Sequence, residues 1–503
     1  MKGGKFMAKA HRHIFQAIAA LSLLAQVLTG CATLPQPSPS ARIGQEGELG
    51  RCADFFAALD QRTVQARALD AGSFRVSGYP YLRTDRFLAS FRWQVQDPAA
   101  FAAWVDRMQA LDREARRYEI ANLSPGSPLA PDLPPSRATF DQTVEMCGDL
   151  LKAADFQDIE HQEQLRQKSR APDDYIELRR VLGLYPIAGW FVSRGVAKWH
   201  EEAHRTFSLK PPQGWQTTRY APQMTGDRSR AAHIVRQTER DAMGLPLYSA
   251  KDRQILFQSH APVWEVETLG DDDRIGSPFW DDTGDLAVDI RQPVTFTLLS
   301  FTRFGSEALT QLNYIIWFPS RPKQSAWDIY GGALDGLNLR VTLDNRGEPL
   351  LYETIHNCGC YYEAYPTRRL NVRESIDYAE PPLIFAAPEF DSEQQLLSIA
   401  MEGRTHYVQH LYPTDRNATA ATATYALVDY GLLRSLPYPT QAKKSMFAQD
   451  GIAHGSERLE RFILWPMGVL SPGGMRQWGR HAIAFVGERQ FDDPFYMDQM
   501  FTR

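Results

Sequence analysis

Near residue 255 the rhythm of the apolar residues changes, and no other feature constrains the fold as much. From about 48 to 245 they recur three and four positions apart. Phe55, Phe56, Leu59 and Val64 keep this spacing, and Phe101, Trp104, Val105, Met108 and Leu111 repeat it. That is the period of an amphipathic helix. Asp97-Pro98 ahead of the second run is a helix-start signal. Proline-rich stretches at 123–137 and 209–229 interrupt the pattern. Past 255, short runs rich in Val, Ile, Thr, Tyr, Phe and Trp alternate with turn residues. Residues 294–302, 312–318, 422–428 and 482–486 predict strands, and 337–343, the turn 344–347 and 350–362 predict a hairpin. The expected fold class is α+β: a helical N-terminal domain over 48–245, then a β-rich, mainly antiparallel C-terminal domain over 246–503.

The N-terminus gives an address. Lys2, Lys5, Lys9 and Arg12 precede an apolar run from about 14 to 28, with no acidic residue among the first 30. Small residues then lead into Cys31, in the order Leu28-Thr29-Gly30-Cys31. Basic start, apolar middle and small-residue end are the three parts of a secretory signal. The ending resembles the lipobox of bacterial lipoproteins. The resemblance implies cleavage before Cys31 and lipid on its sulfur and amino group. With Ala32 where an Asp would retain the protein at the inner membrane, it also implies sorting to the outer membrane. Residues 1–30 are then a signal peptide, and 31–47 carry the lipidated Cys31 and a flexible tether rich in Pro, Ser and Gly. The membrane is a partner through that lipid.

Without the signal, 51 Lys and Arg stand against 60 Asp and Glu, a formal charge of −9. Such a balance argues against nucleic acid as a partner. No second apolar run approaches the roughly 20 residues of a spanning helix. The charge-free run 183–192 can either touch a membrane or lie in a buried core, and core is the commoner use of such a run. An exported compartment permits disulfides. Cys52 and Cys147 lie in one helical region and are the default pair, leaving Cys358 and Cys360.

Two motifs carry possible chemistry. His200-Glu201-Glu202-Ala203-His204 is an H-E-x-x-H string within a predicted helix. There both imidazoles share a face and can hold one zinc, with Glu201 as general base on its water. It resembles the zincin metallopeptidase motif over five residues, and Glu239 is a candidate third ligand. The charged Glu202 departs from that pattern, and His200 and His204 lie at the border of the apolar stripe. An ordinary amphipathic helix looks the same. The second motif is His356-Asn357-Cys358-Gly359-Cys360. An imidazole and two thiolates suit zinc or copper(I). A regular strand spreads them over about 13 Å, so a turn at Gly359 is needed, either for a metal or for a Cys358–Cys360 disulfide. His406 and His410 form a weaker pair. Arg476, Arg480 and His481 either present charge to an anion or pair with nearby Glu457, Glu460, Asp492 and Asp493.

No G-x-S-x-G elbow, P-loop, Rossmann fingerprint or C-x-x-C-H string is present. The features together favour an outer-membrane-anchored lipoprotein that binds a ligand or partner. The alternative is a zinc-dependent, peptidase-like hydrolase built on His200, Glu201 and His204.

Overall fold

The computed structural model describes residues 38–123, 137–374, 379–416 and 422–503. The expected signal peptide, Cys31 and the first part of the expected tether lie outside them. Residues 38–47, expected as tether, are bound to the body. Gly78 donates its N–H to Ser38 O at 2.9 Å, Ser40 is buried, and Arg42 pairs with Asp155 at 2.7 Å. Residues 38–47 are therefore not a free tether.

The N-terminal layer comprises helices α1 (Glu48–Gln65), α2 (Pro98–Ala121), α3 (Arg137–Asp155) and α4 (Ile159–Lys168), around a hairpin of β1 (Phe74–Val76) and β2 (Tyr79–Thr84). Asp97 caps α2, its carboxylate accepting from Ala99 and Ala100 N–H at 2.8 and 3.0 Å, with Pro98 opening the first turn. The apolar stripe of α2 buries Trp104, Val105 and Met108 against Phe56 and Leu59 of α1 and Leu151 of α3. A disulfide joins Cys52 of α1 to Cys147 of α3, the pair taken by default from sequence. On the hairpin side of α2, Arg83 bonds Asp112 at 3.1 Å and Glu119 at 2.7 Å, all three buried.

Two further helices, α5 (Glu177–Leu182) and α6 (Tyr185–Thr206), lead to the main sheet. Its strands are β3 (Thr217–Pro222), β4 (Val263–Glu267), β7 (Val294–Phe304), β8 (Glu307–Arg321), β9 (Gly332–Leu343), β10 (Pro349–His356), β11 (Glu363–Pro366), β13 (Leu383–Ile384), β14 (Gln395–Met401), β15 (Val408–Asp415) and β16 (Ala423–Asp429). They run in the order β13-β11-β10-β9-β8-β7-β16-β3-β4-β14-β15. Strands β5 (Ser277–Trp280), β6 (Leu286–Asp289) and β12 (Asn371–Val372) lie outside this sheet. The fold is α+β and the sheet is mixed. Neighbours from β7 to β11 pair antiparallel, but β16 runs parallel to both β7 and β3, and β14 runs parallel to β4.

β8 explains how the sheet is covered. Successive strand side chains point to opposite faces. Leu312, Tyr314, Ile316 and Phe318 meet α7 (Arg228–Gln237) and α8 (Ala250–His260), while Ile315 and Trp317 meet the C-terminal segment through Phe447 and Met475. Burial on both faces gives the nearly continuous apolar run seen in sequence.

The border drawn at 245 runs through this structure. β3, from the proline-broken stretch on its helical side, sits inside the sheet between β16 and β4. The C-terminal segment returns to the helical layer, where Arg434 bonds Asp70 at 2.6 Å and Asp492 accepts from Arg86 at 3.0 Å. Two local expectations are corrected. Residues 482–486 form no strand; Ala482 makes a single bridge to Gln490. The run 183–192 is not core: Ile187, Trp190 and Phe191 are 61%, 52% and 65% exposed.

Candidate functional site

The H-E-x-x-H string occupies the last turns of α6, as the helical period predicts. His200 is half-buried, its ring 5.1 Å from that of Trp199, and burial lowers its pKa to about 4. His204 is exposed, with its ring 5.0 Å from Phe385. Glu201 is exposed, and Glu202 bonds Arg205 one turn along. Glu239 lies beyond the end of α7, exposed, and its carbonyl accepts the Leu247 N–H. Among the described residues no group of three or more His, Cys, Asp and Glu side chains is placed to hold a metal ion.

The second motif is gathered by a turn. β10 ends at His356, Gly359 takes φ +90°, and His356 N–H donates to Cys360 O at 3.0 Å. A side chain at 359 would strike Ala482 O at 2.5 Å, so both the turn and its contact need glycine. Cys360 N–H donates to Cys358 Sγ at 3.3 Å, and both thiols are free rather than bridged. The hydrogen bond with Cys358 and burial hold the Cys360 thiol well above its ordinary pKa. A protonated thiol is a poor metal ligand. His356 does not join the sulfurs; its Nδ1 faces Asp335 at 3.6 Å.

That contact opens onto a buried polar chain. Asp335 of β9 accepts from His406 Nδ1 at 2.8 Å, and His406 Nε2 lies 3.4 Å from Asp273. His406 stacks flat on Phe318 with ring centroids 3.9 Å apart. Burial penalises its charge, but hydrogen bonds to Asp273 and Asp335 win and raise its pKa. His356 goes the other way: burial lowers it, and one longer contact to Asp335 does not offset this. Burial pushes the Asp335 carboxyl up, and the bonds from His356 and His406 hold it well below its ordinary value. Above them Arg321 donates to Tyr407 Oη at 3.0 Å, and the rings of Tyr361 and Tyr407 lie 4.5 Å apart. Glu460, penalised by burial and only partly relieved by Arg321, Arg458 and Arg476, rises to about 7. Among the described residues, seven other than glycine take positive φ, and four of them, Leu334, Tyr361, Arg404 and His406, lie in or beside this cluster. Such strain persists where surrounding contacts over-determine it.

His356 and His406 were singled out in sequence; Asp335 and Asp273 were not. An Asp inside the apolar stretch 334–339 was the available signal. His410 is not part of the cluster and packs its ring 5.1 Å from Trp215. Arg476 and Arg480 are buried and committed, to Cys358 O at 2.9 Å and Asp174 at 2.8 Å, rather than to the acids near them in sequence. His481 is buried, which lowers its pKa to about 3.

A cleft of about 1010 Å³ lies between the helical layer and the sheet. One wall is α2, with Arg107, Glu114, Arg117 and Tyr118; the other is β7 with Thr297, Ser300 and Phe301, and α8 with Arg253 closes part of the rim. The C-terminal segment adds Trp478. Most of its charges are locked in pairs. Arg434 bonds Asp70 and Glu114 at 2.6 and 2.5 Å, and Arg107 bonds Asp241 at 2.7 Å. Asp85, half-buried at its edge, is raised to about 6 by burial, with help from the nearby Asp492. No sequence motif marks this cleft, because its residues come from ten separated stretches between Asp70 and Asp492.

Comparison with protein-family models, with curated proteins and with solved structures finds no match to the chain.

Proposed function

We propose that the chain is an envelope lipoprotein, held at the outer membrane by acylated Cys31, whose body binds a ligand in the cleft beneath α2. The cleft is the observation that carries the binding half of this reading. Its volume of about 1010 Å³ is at the upper end of small-molecule sites. Paired charges leave the walls close to neutral, and Tyr118, Phe301 and Trp478 contribute aromatic side chains to the lining, Tyr118 beneath the guanidinium groups of Arg117 and Arg434. Neutral polar walls with flat apolar surfaces suit a hydroxyl-rich ligand such as a short glycan. The anchor half rests on the basic start, the apolar run and Leu28-Thr29-Gly30-Cys31.

Each half has its own test. Cells fed labelled palmitate should label the wild-type chain and not Cys31→Ser; equal labelling of both removes the anchor. The processed protein should bind oligomers of N-acetylglucosamine or of glucose in calorimetric titration. Tyr118→Ala should weaken that binding about tenfold. Absence of binding across both series removes the glycan.

Zinc-dependent hydrolysis has less support. His200 and His204 share a helix, but the described residues bring no third ligand to them.

A further inference from the structure

The charge-free run that reads as core in sequence is on the surface, and it is not alone there. Helix α5 exposes Leu178, Val181 and Leu182, at positions i, i+3 and i+4, by 63%, 63% and 50%. Helix α6 repeats the spacing with Ile187, Trp190 and Phe191. In α5 and the first turns of α6 these apolar side chains point away from the protein, the reverse of a core helix, whereas Trp199 farther along α6 packs on Tyr361. The two helices meet around one knob. Arg180 of α5 donates to Met467 O at 3.0 Å, and a side chain at Gly183, between the helices, would strike Pro466 at 2.4 Å. The short helix before that knob, Arg461–Leu464, exposes Phe462 and Ile463 by 54% and 58%. Two regions distant in sequence, 178–191 and 462–463, thus gather exposed apolar side chains around one knob rather than scattering them singly.

We infer that this surface lies in the headgroup and upper acyl region of the lipid bilayer that carries the protein. The inference rests on the lipid anchor proposed above. The described body begins at Ser38, pinned to Gly78. From Cys31 to Ser38 there are seven Cα steps, about 25 Å when fully extended. A body of this size has a radius of gyration of roughly 23 Å. With so short a leash, one face of the body is held near the headgroups. Ser38 leaves the body beside Lys168, whose Nζ lies 3.1 Å from where a side chain at Gly78 would begin. Lys168 ends α4, the helix next before α5 in the chain. The chemistry fits an interface. Trp190 and Phe462 carry guanidinium groups over their rings, Arg194 at 4.2 Å and Arg461 at 4.9 Å, so the aromatic bodies can enter the lipid while the charge stays at the headgroups. No helix among the described residues is long and apolar enough to cross the membrane, so the contact is interfacial.

The test uses the processed chain in its own membranes and a lipid-soluble diazirine probe, with labelled peptides read by mass spectrometry. Peptides covering 178–191 and 459–463 should carry at least about fivefold more label than those holding exposed Met224 and Leu247. The paired change Trp190→Glu and Phe191→Glu should abolish that excess. Because both side chains are exposed, its circular dichroism melt should match the wild type. The wild-type pattern stands on its own should that variant misfold. Equal labelling of all these peptides overturns the inference. So does chemical crosslinking of α6 to α6 of a second copy with no excess label. The acyl mass on the Cys31 peptide is read in the same digest. An acylated Cys31 with no excess label fails the surface alone. Excess label with an unmodified Cys31 supports the surface and fails the anchor. Absence of both fails both.

Discussion

Arg83 and Glu119 in the helical layer and Asp335 and His406 in the sheet are equally buried, yet they solve burial differently. In the first region every cation is a guanidinium. Arg83 and Arg116 share Asp112, Arg116 also reaches Asp60 at 2.8 Å, and Glu119 accepts from Arg83. Burial alone would raise Glu119, but Arg83, Arg75 and Arg116 pull its carboxyl down to about 2. Glu119, Arg83 and Arg116 therefore keep their charges near neutral pH. In the second region the cation is an imidazole held between two carboxylates, and it does change. The helical network fixes how α2 sits on β1–β2. The histidine chain ties the turn before β15 to β9 with a strength that depends on pH.

The largest expected effect comes from breaking the first network. In Glu119→Gln, Arg83 and Arg75 keep their charge in a buried site with one carboxylate fewer. Removing one member of a buried ion pair costs about 3–5 kcal/mol. Denaturant unfolding should show that loss at pH 7 and nearly the same loss at pH 6 and 8. A cost below about 1 kcal/mol, or one that varies strongly over that range, would mean that water reaches the network.

The second prediction separates the two regions. A histidine whose folded pKa is raised stabilises the fold fully below about pH 6.5, and that contribution fades as the pH rises through the folded value. His406 is such a group. His200, His260 and His481, lowered by burial to about 4, 3 and 3, act in the opposite sense. Their penalty grows as the pH falls below about 6.5. His406→Gln should therefore flatten the decline in stability above pH 6.5 by up to about 1.4 kcal/mol per pH unit. On the acid side the variant should also lose part of the stability that His406 provides by holding the Asp335 and Asp273 carboxyls down, while the penalty from the buried histidines remains. An identical slope in wild type and variant would show that His406 is neutral in the fold.

How much of this was legible depends on whether a residue's role is local. The capping of α2 by Asp97, strands β7 and β8, and the β9–β10 hairpin were all readable, because their signals lie within one element. β3 was not. Its alternation of buried Thr218, Tyr220 and Pro222 is short and flanked by prolines, so it reads as a break. The parallel neighbours of β16 leave no mark in sequence, since partner choice is a long-range matter. His356 and His406 could be picked out as residues, but not the Asp335 that joins them across the sheet. The run 183–192 was misread for a related reason. Apolar content says that a face will be covered, not by what.

The smallest expected effect concerns the motif most visible in sequence. His204 is exposed, and its neighbours include the ring of Phe385 and the half-buried His200 one turn back, whose pKa it helps burial to lower. Surface changes of this kind stay within about 0.5 kcal/mol. His204→Ala should therefore melt with the wild type, and its metal content by elemental analysis should equal that of the wild type. The contrast with Glu119→Gln is informative, because the string His200–His204 is far more conspicuous than Glu119 to anyone scanning for motifs. If instead one zinc per chain were lost in His204→Ala, the two imidazoles on α6 would be ligands after all. The hydrolase reading would then displace the binding one.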